Sequence, residues 1–564
     1  MNPFQSLSDA ILAAFPALEP GDLVFAQAPN LAVGDVALRT FEPAKKLKLP
    51  PPQLATRLAT EITYGPEVRA VTTAGPYVNF RLDRGVFGRR IVTQILAERE
   101  RFGSRDSGKG KKALIEHTSI NPNASPHVGR ARNAMIGDSL VRLLRFDGYD
   151  VEVHYYVNDM GRQIALLVLA CQDPSSLTFD QVLQIYVDAN ARAEAEPEFA
   201  AQGYDLLAKM EQGDADTKSR FHAITGLCLK GQLAVLARLG VSYDVFDHES
   251  DYIKDARLAQ VLEALRAKDA VFTDQDERLV VDLSKIGHAP EEGRYFVLMR
   301  ANGSSMYGFR DIAYTIDKSE RGADINLSVF GEDHKLYAQQ IALILEAAGK
   351  TAPETVYYSY ILLKAGKMST RQGKVVLLSE FLDEATALAA ERVEEQCKDL
   401  APEDRKIIAQ NVAVAAVRFT ILRVGPNKNV IFDWDTSLSF SGDTGPYVQY
   451  SCARINSILR KLGQDLPHPP VQFPTETDSE WALLVKLASF PDTVANAVQT
   501  RNCAPIAQYA LDTARIFTAF YHDCPVLNAD SETQRAARAL LCKATHQTLC
   551  NALQLLGITA PERM

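Results

Sequence analysis

The residues best suited to chemistry stand in one stretch of the first quarter of the chain, between residues 116 and 130. The stretch contains small residues that permit close approach, the imidazole of His127 and the cation of Arg130. Gly129 lies between them and lacks the side chain that would keep the backbone away from a ligand. Phosphate groups bind such a combination where a helix begins and its free N–H groups point outward. The stretch therefore predicts a nucleotide site.

The elements that must position this site can be read from the flanking residues. Residues 113–115 are apolar, and residues 151–157 alternate and are rich in β-branched and aromatic side chains, so both runs predict strands. Between them, one helical face carries Ile136, Leu140, Leu143 and Leu144. Strand, polar turn, helix and strand form the opening of a nucleotide-binding α/β unit.

Length and composition limit the class of protein. A chain of 564 residues is too long for one core, so we expect three or more domains. Hydrophobic residues make up 46% and charged residues 23%, as in ordinary soluble globular proteins, and no run approaches the roughly 20 apolar residues that a membrane helix needs. The eight cysteines form no CxxC pair, which favours a reducing cytoplasm and predicts no protein metal site. A net charge of -9 excludes a histone-like coat but leaves local RNA-binding patches open.

The patterns along the chain predict a multidomain protein. We expect an α+β domain at residues 1–105, a Rossmann-like α/β domain at 106–378 with a helical insertion at about 172–245, and an all-α domain at 379–564. Strand-like runs at 279–283, Tyr295–Met299, 326–330 and 356–361 are interpreted as the remaining strands of one sheet. Helices are expected at 407–423, 439–462, 480–499, 504–522 and 535–556.

Two short motifs carry a resemblance to a known class. Residues 126–130 (PHVGR) resemble the His-Ile-Gly-His signature of class I aminoacyl-tRNA synthetases. Residues 367–371 (KMSTR) resemble the second signature of that class, the Lys-Met-Ser-Lys-Ser loop. Either motif alone is a weak signal, whereas both in this order, with strands between them, are specific.

Further residues narrow the resemblance to the arginyl-tRNA synthetase family. Glu116, Ser119 and Asn121 resemble that family's version of the first motif, and Tyr307 with Asp311 resembles its Tyr-x-x-x-Asp element. Residues 155–163, 331–334, 432–450 and 560–564 resemble other segments of the family, and residues 34–37 and 75–80 resemble its extra N-terminal domain. The resemblance therefore covers nearly the whole chain.

The resemblance implies an arginine–tRNA ligase with an anticodon-binding C-terminal domain, which uses ATP with Mg²⁺ on the phosphates and no dedicated protein metal site. Its implied partners are ATP, L-arginine and tRNA(Arg), with no membrane, and we expect a cytoplasmic monomer. The implied catalytic residues are His127, Gly129, Arg130, Lys367, Ser369 and Arg371, and ATP contacts extend to Asn123, Pro126 and Met368. The implied arginine-binding residues are Glu116, Ser119, Asn121, Tyr307, Asp311 and His334, and the implied tRNA-binding residues are Tyr77, Asn79, Tyr447 and Met564.

Physical chemistry favours Asp311 as the partner of the substrate's side chain. A guanidinium group is planar, offers only donors and pairs best with a carboxylate in bidentate geometry. Lysine or citrulline would leave such a carboxylate poorly paired, which costs on the order of 10⁴-fold where a site is built around hydrogen bonds. The alternative is an ordinary ion pair of Asp311 with its neighbour Arg310.

The chain departs from the family pattern at two positions. Arg130 replaces the second histidine of the first signature, and Thr370 replaces the second lysine of the other. Arg130, Arg132 and Lys374 are the candidates for the missing cation. The competing functional hypothesis is a paralogue of the family with an altered acceptor or with an RNA-binding role only.

Ordinary structural roles compete with several of these assignments. His127 could be a capping or core histidine, and Tyr77 and Asn79 could be plain strand residues. Tyr447 stands at helical spacing from Tyr450, which is more typical of helix packing than of anticodon stacking. Structure decides between these alternatives.

Overall fold

The structure is a computed structural model, which describes residues 4–28, 33–123, 125–171, 173–287, 293–364, 376–463 and 473–564. The second signature motif, with Lys367, Met368, Ser369 and Arg371, lies outside the described residues. Lys374, one of the three candidate cations, lies outside them as well.

The N-terminal region is a four-stranded antiparallel sheet covered by helices. Its strands run in the order β1-β2-β4-β3. Val78 and Phe80 of β4 are fully buried beneath Leu54 and Phe87 of the covering helices. The elements are α1 (Gln5–Ala14), β1 (Phe25–Gln27), β2 (Val36–Arg39), α2 (Phe41–Leu47), α3 (Pro51–Thr60), β3 (Val68–Ala74), β4 (Tyr77–Leu82) and α4 (Arg84–Glu98).

The central region begins with three strands of a parallel sheet. The polar turn predicted from the sequence connects β5 to α5, and the sequence-predicted second strand is β6. The helices α7 to α9 are inserted before the third strand and pack through Val182, Leu207 and Phe221. The elements are β5 (Lys112–Glu116), α5 (Val128–Phe146), β6 (Asp150–Val157), α6 (Arg162–Ala170), α7 (Phe179–Ala195), α8 (Pro197–Gln212), α9 (Ala215–Ala237) and β7 (Val245–His248).

Two more parallel strands complete the sheet. Its order is β12-β11-β5-β6-β7, and every neighbouring pair is parallel. The chain leaves β5 toward one edge and returns through β11 toward the other, so the carboxyl ends of β5 and β11 form a topological switch point, where α/β sheets bind ligands. The remaining elements are α10 (Ala256–Ala267), β8 (Val271–Thr273), β9 (Leu279–Asp282), β10 (Tyr295–Met299), α11 (Tyr307–Glu320), β11 (Ile325–Gly331), α12 (Lys335–Ala347), β12 (Glu354–Tyr358) and β13 (Ile361–Leu363).

The prediction that all later strands join this sheet is wrong for two of them. β9 and β10 pair antiparallel with each other and, with β8, form a separate three-stranded sheet. A parallel pair needs a crossover of a dozen or more residues, usually an α-helix, and the described residues between β9 and β10 contain only the three-residue 3₁₀ helix Leu283–Lys285. The run 356–361 is also divided, because β12 ends at Tyr358 and β13 pairs with a strand of the next region.

The C-terminal region is helical apart from one short strand. The expected helix at 480–499 is two helices, since Pro491 starts a new helix at its first turn. The helix expected from 439 begins at Gly445, where the side chain of Thr444 caps it. The elements are α13 (Leu378–Gln396), α14 (Pro402–Leu422), β14 (Val430–Phe432), α15 (Trp434–Ser437), α16 (Gly445–Leu462), α17 (Asp478–Ala488), α18 (Phe490–Thr500), α19 (Ala504–Asp523) and α20 (Glu532–Leu555).

A buried arginine joins this helical region to α5. The guanidinium of Arg418, on α14, donates to the carbonyls of Leu556 and Leu239 at 2.6 and 2.8 Å and to the carboxylate of Asp138 at 2.5 Å. Gly557 has no side chain, and a Cβ there would lie 2.3 Å from the guanidinium. Because Arg418 is fully buried, its charge depends on these partners.

Among the described helices, none has both the length and the apolar composition needed to cross a bilayer.

Candidate active site

A cavity of about 690 Å³ opens at the carboxyl ends of β5, β6 and β11, the switch point of the parallel sheet. The sequence motifs that surround it are far apart in the chain, and the fold brings them to one place. The lining includes eight residues predicted from the sequence: Glu116, Ser119, Asn121, Asn123, Arg130, Tyr307, Asp311 and His334. All six predicted arginine-binding residues are therefore neighbours around one cavity.

The turn after β5 has an unusual backbone. Thr118 and Ser119 have φ values of +77° and +45°, a region that residues with side chains rarely adopt. The Thr118 N–H donates to the amide oxygen of Asn133 at 2.8 Å, and the Tyr156 N–H donates to the Ser119 hydroxyl at 3.1 Å. The Ile120 N–H donates to the Tyr155 hydroxyl at 2.9 Å. These bonds to α5 and β6 hold the strained turn at the edge of the cavity.

Four carboxylates line the cavity, namely Glu116, Glu249, Asp311 and Asp333, and the first two already have a cation. Asp333 lies at the exposed edge, 3.7 Å from the imidazole of His334. Glu116 forms a buried ion pair with Lys318 of α11. Glu249, just after β7, accepts from the guanidinium of Arg310 at 2.7 Å. Asp311 accepts a hydrogen bond from the Tyr337 hydroxyl at 2.9 Å, and the described residues supply no ion-pair partner for it.

The electrostatics of the cavity single out Asp311. Burial, followed by the negative charge of Glu116, raises the pKa of Asp311 from 3.8 to about 7. An ionised carboxylate is therefore costly in the empty cavity, and a cation placed beside it would recover that cost. A strongly perturbed carboxyl group in a cavity is typical of a functional site.

The ordinary alternative for Asp311, an ion pair with Arg310, is wrong. Arg310 turns away and donates to Glu249 and to the carbonyl and hydroxyl oxygens of Ser305. No motif or spacing in the sequence indicated Glu249 or Tyr337. Lys318 stands seven residues after Asp311, on the same helical face, and that spacing could have predicted that both side chains face the site.

The other predicted arginine-binding residues occupy the rim of the cavity. The amide oxygen of Asn121 accepts from Asn158 at 2.7 Å. Tyr307 is 58% exposed, and its ring centroid lies 5.4 Å from that of Tyr337. His334 is half-exposed at the end of β11. These three side chains therefore lie nearer the surface than the carboxylates of Glu116 and Glu249, which are buried in ion pairs.

The predicted nucleotide residues lie at the start of α5. His127 is the N-cap residue of α5, but its side chain makes no capping hydrogen bond, so the capping alternative is wrong. Burial and then the charge of Arg130 lower the pKa of His127, which favours a neutral imidazole that can donate one hydrogen bond. A Cβ on Gly129 would lie 3.0 Å from the His127 ring, so glycine permits the ring's position over the helix N-terminus.

The chain that follows the second signature motif contacts the first. The Val128 N–H donates to the carbonyl of Val376 at 3.1 Å, and the Leu378 N–H donates to the carbonyl of Pro126 at 2.7 Å. His127 and Leu377 form an antiparallel bridge. The residues directly after the undescribed segment 365–375 are thereby bonded to the N-terminus of α5.

Two of the three candidates for the missing cation, Arg130 and Arg132, lie in the described residues, and their surroundings differ. Arg132 is fully buried and donates to the carbonyls of Ser359, Tyr360 and Gly425 at 2.6, 3.2 and 3.1 Å. Its guanidinium is therefore occupied in the core, and Arg132 is excluded as a phosphate ligand. Arg130 lines the cavity.

The predicted tRNA-binding residues differ in exposure. Tyr77 is 38% exposed at the start of β4, whereas Asn79 is buried, so its amide does not face a ligand at the surface. The Tyr447 hydroxyl lies 3.1 Å from the Thr518 hydroxyl on α19, which is a helix-packing contact. Met564 is partly buried against the core.

Comparison with known families defines the class of this fold and site. A family model described as tRNA synthetases class I (R), catalytic domain, matches residues 91–434. The DALR anticodon binding domain matches residues 448–564, and the arginyl tRNA synthetase N terminal domain matches residues 4–82. The chain is thus built as a class I aminoacyl-tRNA synthetase, with a parallel-sheet catalytic domain between an N-terminal domain and a helical anticodon-binding domain.

Relatives and solved structures identify the family within that class. The chain is 37% identical to the arginine–tRNA ligases of Methanosarcina barkeri and Methanosarcina acetivorans, with 99% of this chain and 98% of each relative covered. The arginyl-tRNA synthetase of Thermus thermophilus superposes with a TM-score of 0.79 at 29% identity, and 99% of both chains is covered. The chain belongs to the arginyl-tRNA synthetase family.

Proposed function

We propose that the chain activates L-arginine with ATP to arginyl-adenylate and transfers the arginyl group to the 3′-terminal adenosine of tRNA(Arg). Membership of the family gives the reaction class, and the cavity supports the amino acid. The single observation that carries the proposal is the half-buried Asp311, which, unlike the two other inner carboxylates Glu116 and Glu249, has no cation among the described residues.

In this proposal, Asp311 binds the substrate guanidinium. The bound cation supplies the missing opposite charge, and the Tyr337 hydroxyl, which donates to Oδ2 at 2.9 Å, holds the carboxylate for bidentate pairing. Tyr307 covers the same wall, and Glu116, Ser119, Asn121 and His334 surround the polar end of the amino acid. A lysine ammonium would satisfy only part of this planar acceptor.

The activation step is a displacement at the α-phosphorus of ATP. An oxygen of the arginine carboxylate forms a bond to phosphorus, and the bond to pyrophosphate breaks. Catalysis then rests on positioning and on stabilising negative charge. His127, the first N–H groups of α5 beside Gly129, and Arg130 are assigned to the phosphates, with Asn123 and Pro126 at the nucleotide.

The second signature motif completes the assignment. Lys367, Ser369 and Arg371 are assigned to the pyrophosphate and Met368 to the nucleotide, by the resemblance of residues 367–371 to the class signature. The support in the structure is the pairing of residues 376–378 with residues 126–128, which ends that segment beside the first motif. Mg²⁺ would be held by the ATP phosphates and would neutralise part of their charge.

Transfer follows from the same adenylate. The 2′-hydroxyl of the terminal adenosine attacks the arginyl carbonyl carbon, its proton is lost, and AMP leaves. We assign tRNA contacts to the N-terminal domain (1–105), where Tyr77 is exposed, and to the C-terminal domain (379–564), and chemistry to residues 106–378. The packed side chains of Tyr447 and Met564 are left out of this assignment. A cytoplasmic monomer, with ATP, L-arginine and tRNA(Arg) as partners, fits this assignment.

One assay tests the proposal. Arginine-dependent ATP–pyrophosphate exchange is measured with and without tRNA(Arg), and transfer of labelled arginine to tRNA is then measured. We expect exchange with arginine in the presence of tRNA, as the family resemblance implies, and then charging of that tRNA. Absence of exchange in both conditions would refute the proposal, and exchange without charging would support a paralogue that uses another acceptor.

A further inference from the structure

A second cluster of ligand-type side chains lies behind the cavity wall. Its members are Asp159 after β6, His222 on α9 and His248 at the end of β7. Asp159 Oδ2 lies 3.0 Å from His222 Nε2 and 3.1 Å from His248 Nδ1. In the described part of the chain, this is the one group of three histidine, cysteine or acidic residues whose ligand atoms lie within 4.8 Å of one another.

The carboxylate of this cluster is fixed by its surroundings. Asp159 is fully buried, and its Oδ1 accepts the Ser250 N–H at 2.9 Å. The Ser250 hydroxyl donates to Oδ2 at 2.8 Å. Such outer contacts orient a ligand before a metal arrives. The side chains of His222 and His248 are 37% and 29% exposed, so the cluster lies near the surface on its histidine side.

Hydrogen bonds alone explain the cluster poorly. Three donors, from His222, His248 and Ser250, converge on the single oxygen Oδ2 of Asp159. A carboxylate oxygen has two lone pairs, so the third donor is in excess. A cation between the three ligand atoms removes this crowding, because both ring nitrogens then act as acceptors.

We propose that Asp159, His222 and His248 form a zinc-binding site. Two imidazoles and one carboxylate are a common ligand set for Zn²⁺. Tetrahedral ligands at about 2.0 Å from the metal stand about 3.3 Å apart, close to the two distances measured here. The Ser250 hydroxyl, which donates to Asp159 Oδ2, also lies 3.3 Å from His222 Nε2, so it is an outer contact of two of the three ligands.

The site would fasten the helical insertion to the sheet. His222 belongs to the insertion helix α9, whereas Asp159 and His248 follow two neighbouring strands of the parallel sheet. Asn158 and Met160, on either side of Asp159, line the cavity of about 690 Å³ that is proposed to bind arginine. A bound Zn²⁺ therefore holds α9 against the segment that forms one wall of that cavity.

Metal titration tests the site directly. The full chain, purified without a histidine tag and treated with a chelator, is titrated with Zn²⁺ by calorimetry and with Co²⁺ by visible absorption. No ATP, arginine or tRNA is present, so the outcome does not depend on the proposed function. We expect one Zn²⁺ per chain, Co²⁺ absorption typical of low coordination number, and no comparable binding of Mg²⁺, which prefers oxygen ligands.

Variants locate the metal. His222→Ala and His248→Ala should each weaken Zn²⁺ binding at least about tenfold, since even loss of an outer-shell partner costs about 10–100-fold. His222→Gln retains a donor to Asp159 but removes the imidazole, and it should weaken binding equally if the fold is intact by circular dichroism. His522→Ala is the control, because His522 is an exposed histidine beside Asp523 and should leave binding unchanged.

The outcomes separate clearly. Loss of Zn²⁺ binding in the folded His222 and His248 variants, with binding retained in the His522 variant, supports the site. Absence of saturable Zn²⁺ binding by the unaltered chain overturns it. Zn²⁺ binding that survives both His222→Ala and His248→Ala also overturns it, because the metal would then lie elsewhere.

Discussion

Replacing Asp311 by asparagine removes one negative charge from the arginine cavity and keeps the shape of the side chain. Raising the pKa of this carboxyl group from 3.8 to about 7 corresponds to about 4 kcal/mol of lost stability for its ionised form. A bound guanidinium recovers that energy in the unaltered protein but gains nothing from a neutral amide. We therefore expect Asp311→Asn to raise the arginine KM about 10³-fold.

The assay for Asp311→Asn is ATP–pyrophosphate exchange at varied arginine concentration in the presence of tRNA(Arg). A filter-binding measurement of the tRNA Kd checks that the rest of the protein is intact, and we expect it to be unchanged. Glu320→Gln is the matched control, since Glu320 is on the same helix but binds Arg257 and Lys350 outside the cavity. An arginine KM for Asp311→Asn within about threefold of the unaltered value would refute the assignment of Asp311 as the guanidinium ligand.

The pH dependence of arginine binding provides an independent check on the same group. In the empty protein the folded-state pKa of Asp311 is raised, so the folded state loses stability as pH rises from about 4 to about 7. Arginine binds the ionised form, so its affinity should fall about tenfold for each pH unit below about 7. In Asp311→Asn, the slope should be absent.

Two further predictions concern the start of α5. Gly129→Ala places a Cβ 3.0 Å from the His127 ring, which displaces the ring, so we expect exchange to slow about tenfold or more at unchanged arginine KM. Arg132→Ala leaves the Ser359 carbonyl without its donor, whereas the carbonyls of Tyr360 and Gly425 keep the N–H groups of Val430 and Lys428, so urea unfolding should show a loss of roughly 2 kcal/mol. Arg130→Ala, by contrast, should slow exchange but change the unfolding free energy by less than about 0.5 kcal/mol, and the opposite pattern would contradict our choice between these arginines.

Local patterns in the sequence predicted much of this molecule. The motif at 126–130 required only short-range information, since a turn followed by a helix is encoded in adjacent residues. Asp311 was reached differently, through the resemblance of Tyr307 and Asp311 to a family element, and guanidinium chemistry then favoured an acid at that position. The antiparallel placement of β9 and β10 was missed because a half-buried strand has the same alternation in any sheet.

What could not be predicted are the pairings between distant residues. Lys318 forms an ion pair with Glu116, which lies 202 positions earlier in the sequence. Arg310 binds Glu249 and not its own neighbour Asp311. These two ion pairs leave the Asp311 carboxylate without a cation, and the spacing of residues in the sequence does not predict either pair. Sequence patterns did not predict the cluster of Asp159, His222 and His248 for the same reason, because three separate parts of the chain contribute one side chain each.

The burial of Arg418 has a consequence for how the protein unfolds. Its guanidinium needs an acceptor from α5, one from the end of the insertion and one from the C-terminus of α20, so no fragment that lacks any of these retains a satisfied charge. We therefore expect the catalytic and helical regions to depend on each other for stability. Heat or urea should unfold the catalytic and helical regions in a single cooperative transition, and removing the last ten residues should destabilise the nucleotide site about 400 positions earlier in the chain.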